Sequence, residues 1–168
     1  EQLMDKVCAM LVDYLKMQVS AGAQALQLFD SWVGCLGPND YEKYILPYSR
    51  RVFEGLKDTG VPIINFSTGT STMLDLVQKA GGDVLSFDWR IEMDTARALL
   101  GKDQPVQGNL DPVTLFGPLP LIRERVHDIL KRSGGKGHIF NLGHGILQHT
   151  PVEHVKAVVD MVHEYKHE

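Results

Sequence analysis

Hydrophobic positions near the N-terminus recur with the period of an amphipathic helix. The apolar stripe consists of Leu3, Val7, Met10, Leu11, Tyr14 and Leu15. It predicts a helix that ends near the sequence Ser20-Ala21-Gly22. The apolar run from Ala23 to Phe29 lacks a helical period and predicts a short strand that ends at Asp30 and Ser31. The chain therefore opens with a helix followed by a strand.

The same unit of helix and strand repeats along the rest of the chain. Four further strands are predicted at Val61–Phe66, Asp83–Phe87, Gln104–Gly108 and Ile139–Leu142. The helices between them are predicted at about 38–56, 71–79, 92–100 and 120–132. With a last helix after Thr150, five strands alternate with six helices. This alternation predicts an α/β protein with a parallel sheet and right-handed crossovers.

The last predicted helix begins with a capping-box sequence, Thr150-Pro151-Val152-Glu153. In a capping box the hydroxyl of the first residue accepts from the backbone at the helix start, so Thr150 is predicted to be the N-cap. The helical period predicts four inward-facing valines, which are Val155, Val158, Val159 and Val162.

Polar side chains follow each of the five predicted strands. They are Asp30 and Ser31, Asn65 and Ser67, Asp88, Gln107 and Asn109, and Asn141 and His144. Functional groups of parallel α/β proteins gather at the carboxyl ends of the strands, so this set is expected to form one polar rim. Helix capping is the competing explanation, and it is the better one for Asp111 and Thr150.

His144 lies between two glycines at the end of the last predicted strand. Flanking glycines let the backbone turn sharply and leave the imidazole uncrowded. Histidine also titrates near physiological pH, so His144 is a candidate for binding or proton transfer. Taken alone, a histidine whose ring is bonded by backbone groups in a tight turn is the simpler explanation.

Composition and charge exclude several classes of protein. The chain has 168 residues, 43% of them hydrophobic and 23% charged, which is typical of a globular domain. Its net charge of -4 and lack of a basic stripe argue against nucleic acid as a partner. No apolar run approaches the roughly 20 residues that span a membrane. Cys8 and Cys35 fit no metal-binding spacing, and two isolated cysteines are typical of a protein in a reducing cytoplasm.

The chain starts within a helical pattern and without Met, so we expect it to be part of a longer protein.

The predicted rim contains few groups that could hold an anion or a metal. Arg90 is the only basic residue within about two positions of a strand end. Gly69-Thr70-Ser71 lacks the lysine of a phosphate-binding P-loop, and no GxGxxG motif follows the first strand. Ser31 lacks a hydrolase GxSxG context. The histidine pairs 149/154 and 163/167 have no third ligand nearby. Trp32 and Trp89 follow strand ends, where they could flank a flat ligand, although packing is the simpler role for each.

Residue patterns alone leave two architectures open. A five-stranded doubly wound sheet of flavodoxin type has about this length. The other is part of a (β/α)8 barrel, which normally takes about 250 residues.

Five motifs then favour the second architecture. They are Gln27-Leu28-Phe29-Asp30-Ser31-Trp32, Leu36-Gly37-Pro38, Leu85-Ser86-Phe87-Asp88-Trp89, Gln107-Gly108-Asn109-Leu110-Asp111-Pro112 and Asn141-Leu142-Gly143-His144-Gly145. In this order and spacing the chain resembles the uroporphyrinogen decarboxylase family, from about Gly22 to Tyr165. The resemblance covers strands four to eight of that family's barrel. It implies a single domain over residues 1–168, a partial TIM-type barrel of five β/α repeats without the N-terminal strands.

The resemblance implies a carboxy-lyase of haem biosynthesis that needs no cofactor and no metal. Such enzymes remove CO2 from the four acetate arms of uroporphyrinogen III, giving coproporphyrinogen III. A protonated pyrrole acts as the electron sink for the loss of each CO2. By motif match Ser31 and His144 would bind substrate carboxylates, and Phe29 would line the pocket. The resemblance also implies a cytoplasmic homodimer, or association through open barrel edges.

The departures from the family pattern imply an incomplete site. The family's N-terminal arginines, its pyrrole-binding aspartate and a substrate-contacting tyrosine have no counterpart in this chain, so no principal catalytic residue is assigned. A lysine expected in the loop Ser67–Thr70 is also missing. Related zinc and cobamide methyltransferases carry a His-x-Cys motif where this chain has Asn65-Phe66-Ser67, which disfavours that chemistry. We therefore expect part of a substrate site and no turnover by this chain alone. A non-catalytic flavodoxin-like binding module is the alternative.

Overall fold

A computed structural model describes residues Glu1 to Lys166. The strands are β1 (Leu26–Asp30), β2 (Ile63–Ser67), β3 (Val84–Ser86), β4 (Val106–Leu110) and β5 (His138–Leu142). The helices are α1 (Gln2–Ser20), α2 (Pro38–Asp40), α3 (Leu46–Leu56), α4 (Leu74–Ala80), α5 (Met93–Leu100), α6 (Leu119–Ser133) and α7 (Val152–Glu164). Within this described part of the chain, no helix has the length and apolar character needed to span a membrane.

The strands form one sheet in the order β1-β2-β3-β4-β5. Strand β1 pairs in parallel with β2, and β4 pairs in parallel with β5. A doubly wound sheet reverses its strand order at a switch point, whereas consecutive strands of a (β/α)8 barrel are neighbours throughout. The sequential order therefore rules out the flavodoxin arrangement. It confirms the predicted fold class of parallel β/α repeats with five strands of a TIM-type barrel.

Contacts divide the chain into two compact units, Glu1–Leu85 and Ser86–Glu168. In the first unit, helices and strands bury an apolar core that includes Leu26, Val52, Phe53, Leu56 and Phe66. The core of the second unit is formed by Leu110, Leu115, Ile122, Val126, Leu130, Val158 and Met161. The assignment of residues 1–168 to a single domain stays a prediction.

The helix predicted over about 38–56 is confirmed as one unbroken helical segment that changes type locally. Residues Tyr41–Ile45 form a π-helical turn between α2 and α3. Pro47, at the start of α3, has no N–H with which to continue the α-helical hydrogen-bond pattern. The apolar period predicted the extent of the helix and did not show this π-helical turn.

The predicted capping box of the last helix was wrong. Pro151 is the N-cap of α7, and no side chain caps the helix. The Thr150 hydroxyl instead donates to the Leu147 carbonyl at 2.7 Å, and Glu153 pairs with Lys156 at 2.9 Å. Of the four valines predicted to face inward, Val158 is buried and Val155 and Val162 are partly buried, but Val159 is 48% exposed.

Candidate functional site

In the first unit, two of the predicted substrate-binding residues lie at the end of β1. Phe29 is in the strand, and its side chain is 65% exposed. Its ring meets the buried ring of Phe66 edge to face, with 5.2 Å between centroids. Ser31 directly follows the strand and is half-buried. The strand end therefore presents an exposed aromatic ring next to a hydroxyl group.

The loop that carries Ser31 is fixed to the loop after β2. The Thr68 hydroxyl donates to the Ser31 carbonyl at 2.6 Å. A Cβ atom on Gly34 would lie 2.4 Å from the Thr68 carbonyl oxygen and 2.6 Å from the Gly69 Cα. Only glycine allows these two backbones to approach so closely, so the position of Ser31 is set by packing between the two loops.

Asp30 lies at the same strand end and is partly buried. It lines a cavity of about 260 Å3 together with Phe29, Tyr41, Ser49 and mainly apolar side chains of α1, α3 and β2. Burial raises the pKa of Asp30, and a hydrogen bond from the Val33 N–H opposes that shift. Burial and then the Asp30 charge raise the pKa of Tyr41 to about 12, against a hydrogen bond with Ser49.

The polar residues of β2 hold neighbouring elements in place. The Asn65 amide donates to the carbonyls of Val77 and Gly81, at 3.3 and 2.9 Å, at the end of α4. Ser67 and Thr70 share a buried hydrogen bond of 2.9 Å between their hydroxyls. Asn65 and Ser67 were predicted to join the rim, but they stabilise the fold.

In the second unit, Asp88 and Arg90 form a charged corner after β3. The Asp88 side chain is only 2% exposed, and its carboxylate accepts hydrogen bonds from the Arg90 backbone N–H at 3.1 Å and from the Arg90 guanidinium. The guanidinium also lies over the Trp89 ring, 4.7 Å from its centroid. The cation noted in the sequence is therefore held in place from two sides.

The amides of β4 are internal donors. Asn109 donates to the carbonyls of Asp88 and Ile91, at 3.1 and 2.7 Å, and Gln107 donates to the Ser86 hydroxyl at 3.0 Å. Both amide side chains are buried. Asp111 accepts from the Val113 N–H at 2.9 Å, as expected of an N-cap. The expected rim therefore loses its amides of β2 and β4, because these side chains are bonded within the protein.

The Gly143-His144-Gly145 turn after β5 packs against the Asp88–Arg90 corner. A Cβ atom on Gly143 would lie 2.8 Å from the Trp89 backbone nitrogen and 3.0 Å from the Asp88 Cα. The Gly143 N–H donates to the Leu110 carbonyl at 2.7 Å, which extends the β4–β5 pairing. A side chain at this position would push the turn away from the corner.

His144 itself is exposed, and its ring has a defined orientation. The Nδ1 atom accepts a hydrogen bond from the Gly145 N–H at 2.7 Å. An accepting Nδ1 is unprotonated, so the neutral ring carries its proton on Nε2. The turn therefore presents a donor of the kind that binds a carboxylate oxygen.

No group of three or more metal-binding side chains occurs among residues 1–166. His154 Nδ1 lies 2.7 Å from the Leu115 carbonyl and joins α7 to the turn between β4 and α6. Of the two histidine pairs considered from the sequence, His167 lies outside the described residues. Cys8 is buried and Cys35 is exposed, and both are free thiols.

The structure places Phe29 and Ser31 together in the first unit and His144 in the second. Sequence reasoning missed the Asp30–Tyr41 pair and the bond from Thr68 to Ser31. Pro47 is the local sequence signal for the altered helical turn that carries Tyr41. Nothing in the sequence indicates the Thr68 contact, since the two residues are far apart along the chain.

The sequential parallel strands, with polar loops at their carboxyl ends, define a protein of the (β/α)8-barrel class. The chain belongs to the uroporphyrinogen decarboxylase family, whose sequence profile matches residues 1–165. It is 55% identical over 164 residues to the uroporphyrinogen decarboxylase of Carboxydothermus hydrogenoformans, covering 97% of this chain and 47% of that protein. The uroporphyrinogen decarboxylase of Solibacter usitatus is 52% identical over 166 residues, covering 98% of this chain and 48% of that protein.

The chain thus spans about half the length of the curated relatives it matches. Among solved structures it is similar to a methyltransferase from Methanosarcina mazei, with a TM-score of 0.86 and 21% identity. That similarity covers 98% of this chain and 49% of the methyltransferase. At this identity the likeness concerns the fold alone.

Proposed function

We propose that this chain carries part of the substrate site for decarboxylation of uroporphyrinogen III to coproporphyrinogen III, a step of haem biosynthesis. His144 and Ser31 bind carboxylate arms of the tetrapyrrole, and Phe29 lines the pocket. The observation that carries the proposal is the His144 turn, in which the exposed imidazole accepts a hydrogen bond from the Gly145 N–H at Nδ1 and so carries its proton on Nε2. Family membership supplies the reaction class.

The same groups do not supply the chemistry of turnover. Decarboxylation of a pyrrole acetate requires an acid that protonates the ring and cations that hold eight carboxylates. Among residues 1–166, Arg90 is the one cation within four positions of the carboxyl end of a strand, and the carboxyl of Asp30 lies among mainly apolar side chains beside Tyr41. We propose that the principal acid and the pyrrole-binding groups lie outside these residues, and that the chain alone is inactive. It is expected to act in the cytoplasm, without a metal or cofactor.

A binding experiment tests this proposal directly. We expect anaerobic equilibrium dialysis to show saturable binding of uroporphyrinogen III, with no coproporphyrinogen III formed. His144→Asn should weaken binding about tenfold, because a hydrogen bond to a charged group is worth roughly 1.5 kcal/mol. Its urea unfolding midpoint should match that of the parent, since the side chain is exposed.

His149→Asn is the matched control. His149 lies in the same exposed segment and has a positive φ of 70°, which asparagine adopts readily. Binding should be unchanged in this variant. Turnover by the parent chain at the rate of a full-length relative would refute the claim of an incomplete site. Equal binding by the parent and His144→Asn would mean that His144 is only a turn residue.

A methyltransferase function is not favoured. Zinc binding at the end of β2 would need imidazole or thiolate groups, and this position holds the Asn65 amide and the Ser67 hydroxyl. Both are already bonded to neighbouring groups of the fold.

A further inference from the structure

The ion pair between Asp88 and Arg90 gives the second unit a fixed cation. A buried carboxylate is costly unless it is paired and hydrogen-bonded. Asp88 meets that requirement with two donors from Arg90, the backbone N–H and the guanidinium. The carboxylate thereby orients the arginine side chain as well as being neutralised by it.

Arg90 keeps capacity for a second anion. Its side chain is 52% exposed although its partner is almost fully buried. A guanidinium carries five N–H donors in a planar fork, and the recorded bond to Asp88 comes from one of its terminal nitrogens. Stacking over Trp89 at 4.7 Å holds the plane of the fork. An exposed, oriented guanidinium is suited to bind a carboxylate.

Packing places Arg90 next to the His144 turn. Gly143 is in close contact with Trp89, since an added Cβ would lie 2.9 Å from the tryptophan ring. His144 follows Gly143, and Arg90 follows Trp89. The imidazole and the guanidinium are therefore carried by the two residues that directly follow one close contact within the second unit.

We propose that Arg90 binds a carboxylate arm of the same tetrapyrrole substrate, beside His144, with Asp88 as its positioning residue. This inference rests on the proposed function and adds a cation to the part of the proposed site that the second unit carries. It accounts for the exposure of Arg90, which an arginine serving only to neutralise a buried aspartate does not require. The competing explanation is that Arg90 serves only to neutralise Asp88.

A double substitution separates the two roles. Arg90→Gln alone leaves the buried Asp88 charge uncompensated and is expected to lower stability. Asp88→Asn/Arg90→Gln removes both charges and retains amides that can bond each other. If Arg90 only neutralises Asp88, the double variant should restore both the unfolding midpoint and binding. If Arg90 binds substrate, it should restore the midpoint and still bind weakly.

The measurement is anaerobic equilibrium dialysis of the 168-residue chain with uroporphyrinogen III at several salt concentrations. We expect the double variant to bind about tenfold more weakly than the parent. Its binding should also depend less steeply on salt, because one contact between a cation and a carboxylate is gone. Arg90→Lys should bind with intermediate affinity, since it keeps the charge and loses the fork.

Asp5→Asn/Arg51→Gln is the control with the same change in charge. These residues form an exposed ion pair of 2.5 Å between α1 and α3 in the first unit. Parent-like binding by this control is expected. Parent-like binding by the Asp88→Asn/Arg90→Gln variant, or equal losses in both double variants, would overturn the role of Arg90. Failure of the parent chain to bind would overturn the proposed function and this inference with it.

Discussion

Asp30 shows how neighbouring residues at one strand end can have different tasks. Phe29 and Asp30 both line the cavity that contains Tyr41, but Phe29 is exposed, whereas Asp30 is partly buried and burial raises the pKa of its carboxyl. Side chains alternate between the two faces of a strand, so adjacent residues meet different surroundings. The charge of Asp30 therefore bears on stability and on the titration of Tyr41.

Replacing Asp30 with asparagine is expected to remove a pH-dependent loss of stability. Burial raises the folded-state pKa of Asp30, so above pH about 4 the folded chain binds more protons than the unfolded chain. The free energy of unfolding should then fall as pH rises through the raised pKa. Asp30→Asn keeps an acceptor for the Val33 N–H and should be more stable than the parent at neutral pH. Urea unfolding of both chains between pH 4 and 8 measures the difference.

Asp13→Asn, on the exposed side of α1, controls for the loss of one carboxylate. The stability difference between parent and Asp30→Asn should grow with pH and should exceed that between parent and Asp13→Asn at neutral pH. A difference that shrinks with rising pH would show that the Asp30 charge stabilises the folded chain.

At the scale of elements, close contacts between loops position the candidate binding residues. The loop after β1 packs on the loop after β2 through Gly34 and Gly69, and the turn after β5 packs on the corner after β3 through Gly143. In both cases backbone meets backbone, and a rigid arrangement results without a long side chain.

Gly34→Ala is expected to lower the free energy of unfolding by about 1 to 3 kcal/mol, the usual cost of overpacking. Its Cβ would meet the Thr68 carbonyl at 2.4 Å, and backbone cannot move aside as a flexible side chain can. Gly37→Ala, in the same segment, has no atom within 4 Å of the added Cβ and should change stability by no more than about 0.5 kcal/mol. Urea unfolding measures both, and equal midpoints would contradict the packing explanation.

At the scale of the whole molecule, the sheet has two edge strands, β1 and β5. Edge strands offer unpaired backbone groups to other chains, and these two carry the exposed apolar residues Phe29 and Ile139. We propose that the protein associates through these edges, as a homodimer or a larger assembly.

Sedimentation at micromolar concentration should therefore show dimers or larger species. Ile139→Lys places a charge on β5, where the native side chain is 46% exposed, and should shift the chain toward monomer. Leu99→Lys, on α5 at 57% exposed, is the control and should leave the assembly unchanged. A monomeric parent chain would refute association through the edges.

Local patterns in the sequence were sufficient for the order of helices and strands and for the fold class. Apolar periods located all five strands to within about three residues. They failed at Thr150, whose hydroxyl bonds the Leu147 carbonyl instead of capping the last helix, and they did not show the π-helical turn before Pro47. Hydrophobic period reports which face is buried, and it carries no information about individual hydrogen bonds.

The sequence by itself determined the parallel β/α repeats, the family and the candidates Phe29, Ser31 and His144, because periodicity and motif spacing are properties of the chain. Tertiary structure decided which polar groups are hydrogen-bonded within the protein. The amides of Asn65, Gln107 and Asn109 bond to groups brought near by folding, whereas Arg90 is held by buried Asp88 with its outer surface exposed. A strand-end residue is free for a ligand only when no neighbour satisfies it first, and those neighbours are far apart in sequence.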